Sequence, residues 1–254
     1  MMLAEVLGLH GGIVAAVGAG GKKSLLLALA RELPGRVAWT ATAHTAPPPG
    51  AAGIRMQVAA TEALIARAAS AEGDGVFGFA QPSDKPGRLA GLAPADVGRL
   101  HAAGGFATTL VKADGARMRG IKAPKADEPL LPPATACVLV LVSAGAIGQP
   151  LDDRHAHRAE RLAALLGLQP GEAMTAAHVG ALLAAEEGGL QHTAGMRVVP
   201  VINQVDDAAR REAAEAAARA ALAASPRLER VVLTRLRGGE RNAPLVGVIT
   251  RQAL

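Results

Sequence analysis

The 254 residues suffice for one large domain, and half of them are hydrophobic, enough for a sizeable core. Aromatic residues make up only 2%, with no tyrosine, so Val, Leu, Ile and Ala must fill that core and little remains to stack on nucleic-acid bases. The net charge of +5 suits an anionic ligand, and the one cysteine, Cys137, excludes an internal disulfide. Along the chain, "GIVAAVG" (12–18) predicts a strand, followed by a glycine turn and a helix over 22–33 that Pro34 and Gly35 close. A second strand over 36–42 leads through a proline-rich loop (47–53) to a short strand at 54–58. A helix is expected over 61–71 with Thr61 as N-cap, then a strand at 75–80 and a Gly/Pro-rich loop at 81–92. A helix entered by Pro94 covers 94–103, and a strand over 106–114 ends in Asp114.

A long basic loop, 115–133, precedes "ACVLVLVS" (136–143), an apolar run suited to a strand buried on both faces. Helices near 154–166 and 175–187, a strand at 197–203, a long helix over 206–224 and strands at 230–236 and 244–250 complete the chain. Strands separated by helices predict an α/β fold with a mainly parallel sheet and helices on both faces. The expectation is a single domain over 1–254 with a small helical insertion near 154–190. Ligands of such sheets bind at the carboxyl ends of the strands. The residues just after each strand therefore carry the search for a site.

The segment "GIVAAVGAGGKKS" is a strand, a glycine turn and a helix start, the context a phosphate cradle needs. Gly18, Gly20 and Gly21 permit positive φ, and Lys22 adds a full charge to the helix N-terminus. Against the P-loop pattern G-x-x-x-x-G-K-[ST], Ala16 stands for the first glycine, Lys23 for the hydroxyl, and Ser24 comes one residue late. The bland reading is a tight turn with surface lysines. Asp114, at the end of an apolar strand, is placed like an acid that meets Mg²⁺ directly or through water. After it come Arg117, Arg119, Lys122 and Lys125, which suit a phosphate or an acidic substrate as a set and a solvated loop singly.

"INQVD" places Asn203 and Asp206 after a late strand with the N-x-x-D spacing that reads guanine in GTP-binding proteins; Asp206 as a helix cap is the competing reading. Thr40, Thr42 and His44 gather at the end of the second strand, where hydroxyls can meet a phosphate or Mg²⁺. His155 and His157, two apart at an expected helix start, point apart and complete no metal site, whereas Arg158 and Arg161 share a face that can touch an anion.

Together "VGAGGKKS", "TATAH", "LVKADGARMRGIKAPKADEP", "AHRAERL" and "INQVD" resemble, in that order, the selenium-dependent hydroxylase accessory proteins, the YqeC-like family. The segment 113–129 is the most specific part. The resemblance implies a P-loop NTPase-like, nucleotide-binding fold and a role in maturing molybdenum hydroxylases. Lys22 with Gly18, Gly20 and Gly21 would hold phosphates, and Ser24 and Asp114 would meet Mg²⁺. Asp114 and Lys22 would serve turnover, Arg117 and Lys122 would touch a terminal or pterin phosphate, and Asn203 and Asp206 would read the base. Two departures stand out. The family pattern has Thr at the position of Lys23 and Glu at that of Lys112, and both lysines add positive charge where Mg²⁺ is expected. Two residues apart on a strand, Lys112 and Asp114 are expected to face the same way and pair.

The expected function is thus a purine-nucleotide-binding accessory protein, using GTP or ATP and at most a slow NTPase, with Mg²⁺ weakly held. The alternative is a non-catalytic carrier for a phosphorylated molybdopterin-type cofactor. The partner is a molybdenum hydroxylase or its cofactor-synthesis machinery. No apolar stretch spans a bilayer and the N-terminus shows no leader pattern, so a cytoplasmic protein with neither membrane nor nucleic-acid partners is expected.

Overall fold

A computed structural model describes residues 2–236 and 245–251. A short helix α1 (Leu3–Val6) leads to β1 (Gly12–Gly18), α2 (Lys22–Glu32), β2 (Arg36–Ala41), β3 (Arg55–Val58), α3 (Thr61–Ala69) and β4 (Gly75–Ala80). The middle of the chain forms α4 (Pro94–Gly104), β5 (Thr108–Lys112), β6 (Ile121–Lys122), β7 (Thr135–Ser143), β8 (Ala156–His157), α5 (Ala159–Leu166) and α6 (Ala176–Ala184). β9 (Arg197–Asn203), α7 (Ala208–Ala224), β10 (Arg230–Thr234) and β11 (Leu245–Thr250) follow. Pro244, placed at the start of the last expected strand, lies outside the described residues.

Nine strands make one mixed sheet in the order β11-β10-β9-β7-β1-β5-β2-β4-β3, parallel throughout except for antiparallel β11 at the edge. The near-continuous apolar runs of β1 and β7 follow from this position: central parallel strands are covered on both faces. Alternation sorts their side chains. Ile13, Ala15 and Val17 face one side with α3 to α7, while Val14 and Ala16 face α1 and α2. Leu25, Leu26 and Leu29 are fully buried on the inward stripe of α2, each contributing about 1.5–3 kcal/mol. Cys137 is buried on β7 among this second set. The helices of 154–190 join the first set through Leu162, Val179 and Leu182.

Several local expectations are corrected. Thr61 is the first helical residue of α3 and Ala60 holds the N-cap position. The long helix begins at Ala208, and its cap is Asp207, whose side chain accepts from the Arg210 N–H at 2.8 Å. Neither histidine of 155–157 is helical. Arg158 takes a left-handed φ of 67°, which delays α5 to Ala159, while Ala156 and His157 pair with Ile121 and Lys122 as the two-stranded sheet β6–β8. The basic loop therefore carries a strand of its own. Among the described residues, no helix is long and apolar enough to cross a membrane.

Candidate functional site

Parallel pairing brings the ends of β1, β5, β7 and β9 to one edge of the sheet, with Ala16 opposite Lys112, Gly18 opposite Leu141, and Ser143 opposite Asn203. The chain leaves β1 through Gly18, Gly20 and Gly21, whose φ values are 85°, 83° and 122°. A Cβ on them would lie 2.3 Å from Leu141 O, 2.5 Å from Ser143 N and 2.3 Å from Asn203 Nδ2 respectively. The tight glycine spacing thus answers to contact with β7 and β9 as well as to backbone conformation. Ala16 needs no such freedom, because it is an interior residue of β1.

Lys22 opens α2 and is 5% exposed. Its ammonium turns back to Gly18 O and lies 2.9 Å from Asp114 Oδ1. Asp114 Oδ2 accepts from the Gly18 N–H at 2.8 Å and meets Lys122 Nζ at 2.8 Å. Lys122 continues to Glu128 Oε2 at 2.8 Å and to Gly115 O at 2.9 Å. Glu128 in turn receives both terminal nitrogens of Arg158, each at 2.8 Å. The result is a buried chain of alternating charge, Lys22–Asp114–Lys122–Glu128–Arg158. A small, mostly apolar pocket borders it through Val17, Val140, Leu182 and Leu183, which keeps the local dielectric low and the ion contacts strong.

Burial pushes the Lys22 ammonium below its ordinary range, against the pull of Asp114. Lys112 falls to about 8, through burial and then the charge of Lys22. Burial pushes Glu128 upward, but Arg158 and Lys122 outweigh it and hold the carboxyl at about 2.

The remaining expected residues are placed unevenly around this chain. Lys112 does not pair with Asp114; it donates to His44 O at 3.2 Å, and Lys22 and Lys122 take the two carboxylate oxygens instead. The physical reason is that β5 ends at Lys112, so strand alternation no longer orients Asp114. Lys23 reaches Pro47 O at 3.2 Å, so both departing lysines hold the loop after β2 rather than the glycine turn. Ser24 stands half-buried in the first turn of α2. Thr40 donates to Phe79 O at 2.8 Å and Thr42 to Leu130 O at 2.7 Å, and His44 is exposed.

Lys122 donates to Gly115 O and Glu128 Oε2 and ion-pairs with Asp114 Oδ2, which makes it a brace within the site. Arg117 is exposed beside Met118 at a loop tip. Arg119 donates to Asp153 O at 2.7 Å and Arg161 to Pro124 O at 2.9 Å. Asn203 is buried: its amide donates to Gly20 O at 2.8 Å, and its carbonyl accepts from Thr234 and from the Leu236 N–H, each at 3.0 Å. It ties the glycine turn to β10. Asp206 pairs with Arg210 at 2.9 Å.

Two participants escape sequence reasoning. Glu128 sits in a loop among basic residues, and the only local hint is an acid in "KADEP". Gln191 donates through Nε2 to Lys125 O and Glu128 O and so fixes that loop. Both oxygens of Asp114 face ammonium groups, and among the described residues no three His, Cys, Asp or Glu side chains group to hold a metal ion. Asp114 Oδ1 is buried and no hydrogen bond reaches it among the described residues, but the Lys22 ammonium lies beside it, so a divalent cation would have to displace an ammonium to reach this carboxylate.

A family model described as YqeC protein matches residues 14–160. The "Uncharacterized protein YqeC" of Escherichia coli (strain K12) is 28% identical over 196 residues, 76% of this chain and 75% of that protein. The matched span runs from β1 past Arg158 and takes in the glycine turn and every member of the charge chain, so the chain belongs to the YqeC family.

Proposed function

We propose that the chain binds a phosphate-bearing ligand, a purine nucleoside triphosphate (GTP or ATP), at the P-loop-like turn between β1 and α2. In this reading it acts as an accessory protein in maturing a molybdenum hydroxylase. The observation that carries the binding is a charge imbalance: among the described residues, Lys22, Lys122, Arg158 and nearby Lys112 stand around two carboxylates, Asp114 and Glu128. Four cations against two carboxylates favour an arriving anion. The first N–H groups of α2 lack intrahelical partners, as at any helix start, and Lys22 is the first residue of that helix. Lys22 donates to Gly18 O and ion-pairs with Asp114 Oδ1, and it has donors left to offer a phosphate oxygen. Asp206, at the same sheet edge, is the residue offered to a guanine base, with Asn203 holding the turn beneath it. The maturation role follows the resemblance of the quoted segments to selenium-dependent hydroxylase accessory proteins.

A second reading, a carrier for a phosphorylated molybdopterin-type cofactor, is favoured by Asp114. With both oxygens facing lysines, it is poorly placed to orient an attacking water. Calorimetry with GTP, ATP and phosphorylated molybdopterin tests the binding, and a single-turnover assay separates the two readings. Binding of none of these ligands would refute both.

A further inference from the structure

We infer that the site holds its ligand's phosphates without a divalent cation, because Lys122 stands where the cation would meet Asp114. The inference rests on the phosphate-binding reading above and specifies how that site works. Asp114 offers two oxygens; one lies 2.9 Å from Lys22 Nζ, and the other lies 2.8 Å from Lys122 Nζ and from the Gly18 N–H. For a cation to enter, one ammonium must leave. Lys22 keeps its place beside Oδ1, held also by Gly18 O, and meets a phosphate with its remaining donor capacity.

Lys122 is held in place as well. Its side chain is 1% exposed and belongs to β6, which β8 pins in register at Lys122 and His157. Glu128 holds it from behind, and Arg158 and Gln191 hold Glu128 and its loop. Withdrawing Lys122 would strand a buried ammonium and leave Glu128 with one partner fewer.

The charge balance points the same way. The site already carries more cationic than anionic groups, and a dication would add to that excess. Ser24, the other expected metal ligand, supplies only a neutral hydroxyl from α2. A phosphate that meets Lys22 and the α2 N-terminus is neutralised by the protein itself, the task a cation performs elsewhere.

The test is calorimetric binding of inorganic pyrophosphate to the intact chain, with excess Mg²⁺ and with excess EDTA. The expected affinities agree within about threefold. A loss of about tenfold or more on chelation would overturn the inference and leave the phosphate reading standing. No binding in either condition would overturn both, so the two failures are distinguishable. Lys122→Gln keeps reach toward Glu128 and Gly115 but uncovers Asp114 Oδ2, and it is expected to make binding at least about fivefold tighter with Mg²⁺. If a folded Lys122→Gln protein is as indifferent to chelation as the wild type, Lys122 is not the stand-in. If that variant does not fold, the wild-type pair of measurements decides.

Discussion

Replacing Glu128 by Gln keeps the length of the side chain and removes its charge. Three contacts change character at once, those from Lys122 Nζ and from both terminal nitrogens of Arg158, all at 2.8 Å. The magnitude follows from the carboxyl itself. Held at about 2 against an ordinary 4.5, it corresponds, at about 1.36 kcal/mol per pH unit, to about 3 kcal/mol of favourable interaction. Its side chain is 20% exposed, and screening by solvent trims the expectation to about 2 kcal/mol. In urea denaturation monitored by circular dichroism, the variant should lose that amount with an unchanged m-value.

The pH dependence supplies an internal control. The folded-state carboxyl titrates below its unfolded value, so the stabilisation is complete above about pH 4.5 and disappears as pH falls through about 2. The gap between wild type and Glu128→Gln should close over that window. A variant within about 0.5 kcal/mol of wild type at neutral pH, or a gap that does not depend on acid, would refute the view that Glu128 anchors the buried charges.

Lys22→Ala should keep the fold, since Asp114 retains Lys122 and the Gly18 N–H, but weaken GTP and pyrophosphate binding by about one to two decades; calorimetry checks this. Asn203→Ala removes the tie from Gly20 to Thr234 and Leu236 and should cost about 2–4 kcal/mol in urea denaturation; a loss below about 0.5 kcal/mol would contradict the bracing role. Lys112 has a folded value of about 8, below its unfolded 10.5, so its burial penalty is fully present below pH 8 and is relieved as pH rises toward 10.5. Lys112→Met should therefore gain stability over wild type near neutrality, and urea midpoints should show that gain shrinking toward about pH 10.

The strands of the large sheet were legible because their signals are local, whereas β6 and β8 were not. Apolar runs such as "ACVLVLVS", bounded by Pro and Gly, mark β7 without reference to any partner. The strand–glycine turn–helix that frames the candidate site was legible for the same reason, since β1, the turn and Lys22 are adjacent in sequence. What failed depended on contacts distant along the chain. Glu128 meets Arg158 thirty residues on, and no spacing rule links them. Lys112 and Asp114 were paired by an alternation that holds only inside a strand, and β5 ends between them. The histidines of 155–157 were placed on a helix because nothing local announces the left-handed Arg158. The close glycine spacing has no local explanation, because the groups it meets, Leu141, Ser143 and Asn203, lie over a hundred residues away.

Cys137 offers a practical opening. It is the only thiol in the sequence, it is 2% exposed on β7, and burial pushes it up to about 11. Near neutral pH it is neither accessible nor ionised, and the thiolate is the form that alkylating reagents attack. The natural protein is therefore already a silent background for site-directed labelling. A cysteine introduced at Met118, which is 96% exposed, can carry a fluorophore or spin label without first removing the native residue. A second label at His44, across the same sheet edge, would turn the pair into a ruler for the distance between the basic loop and the loop after β2, with and without ligand.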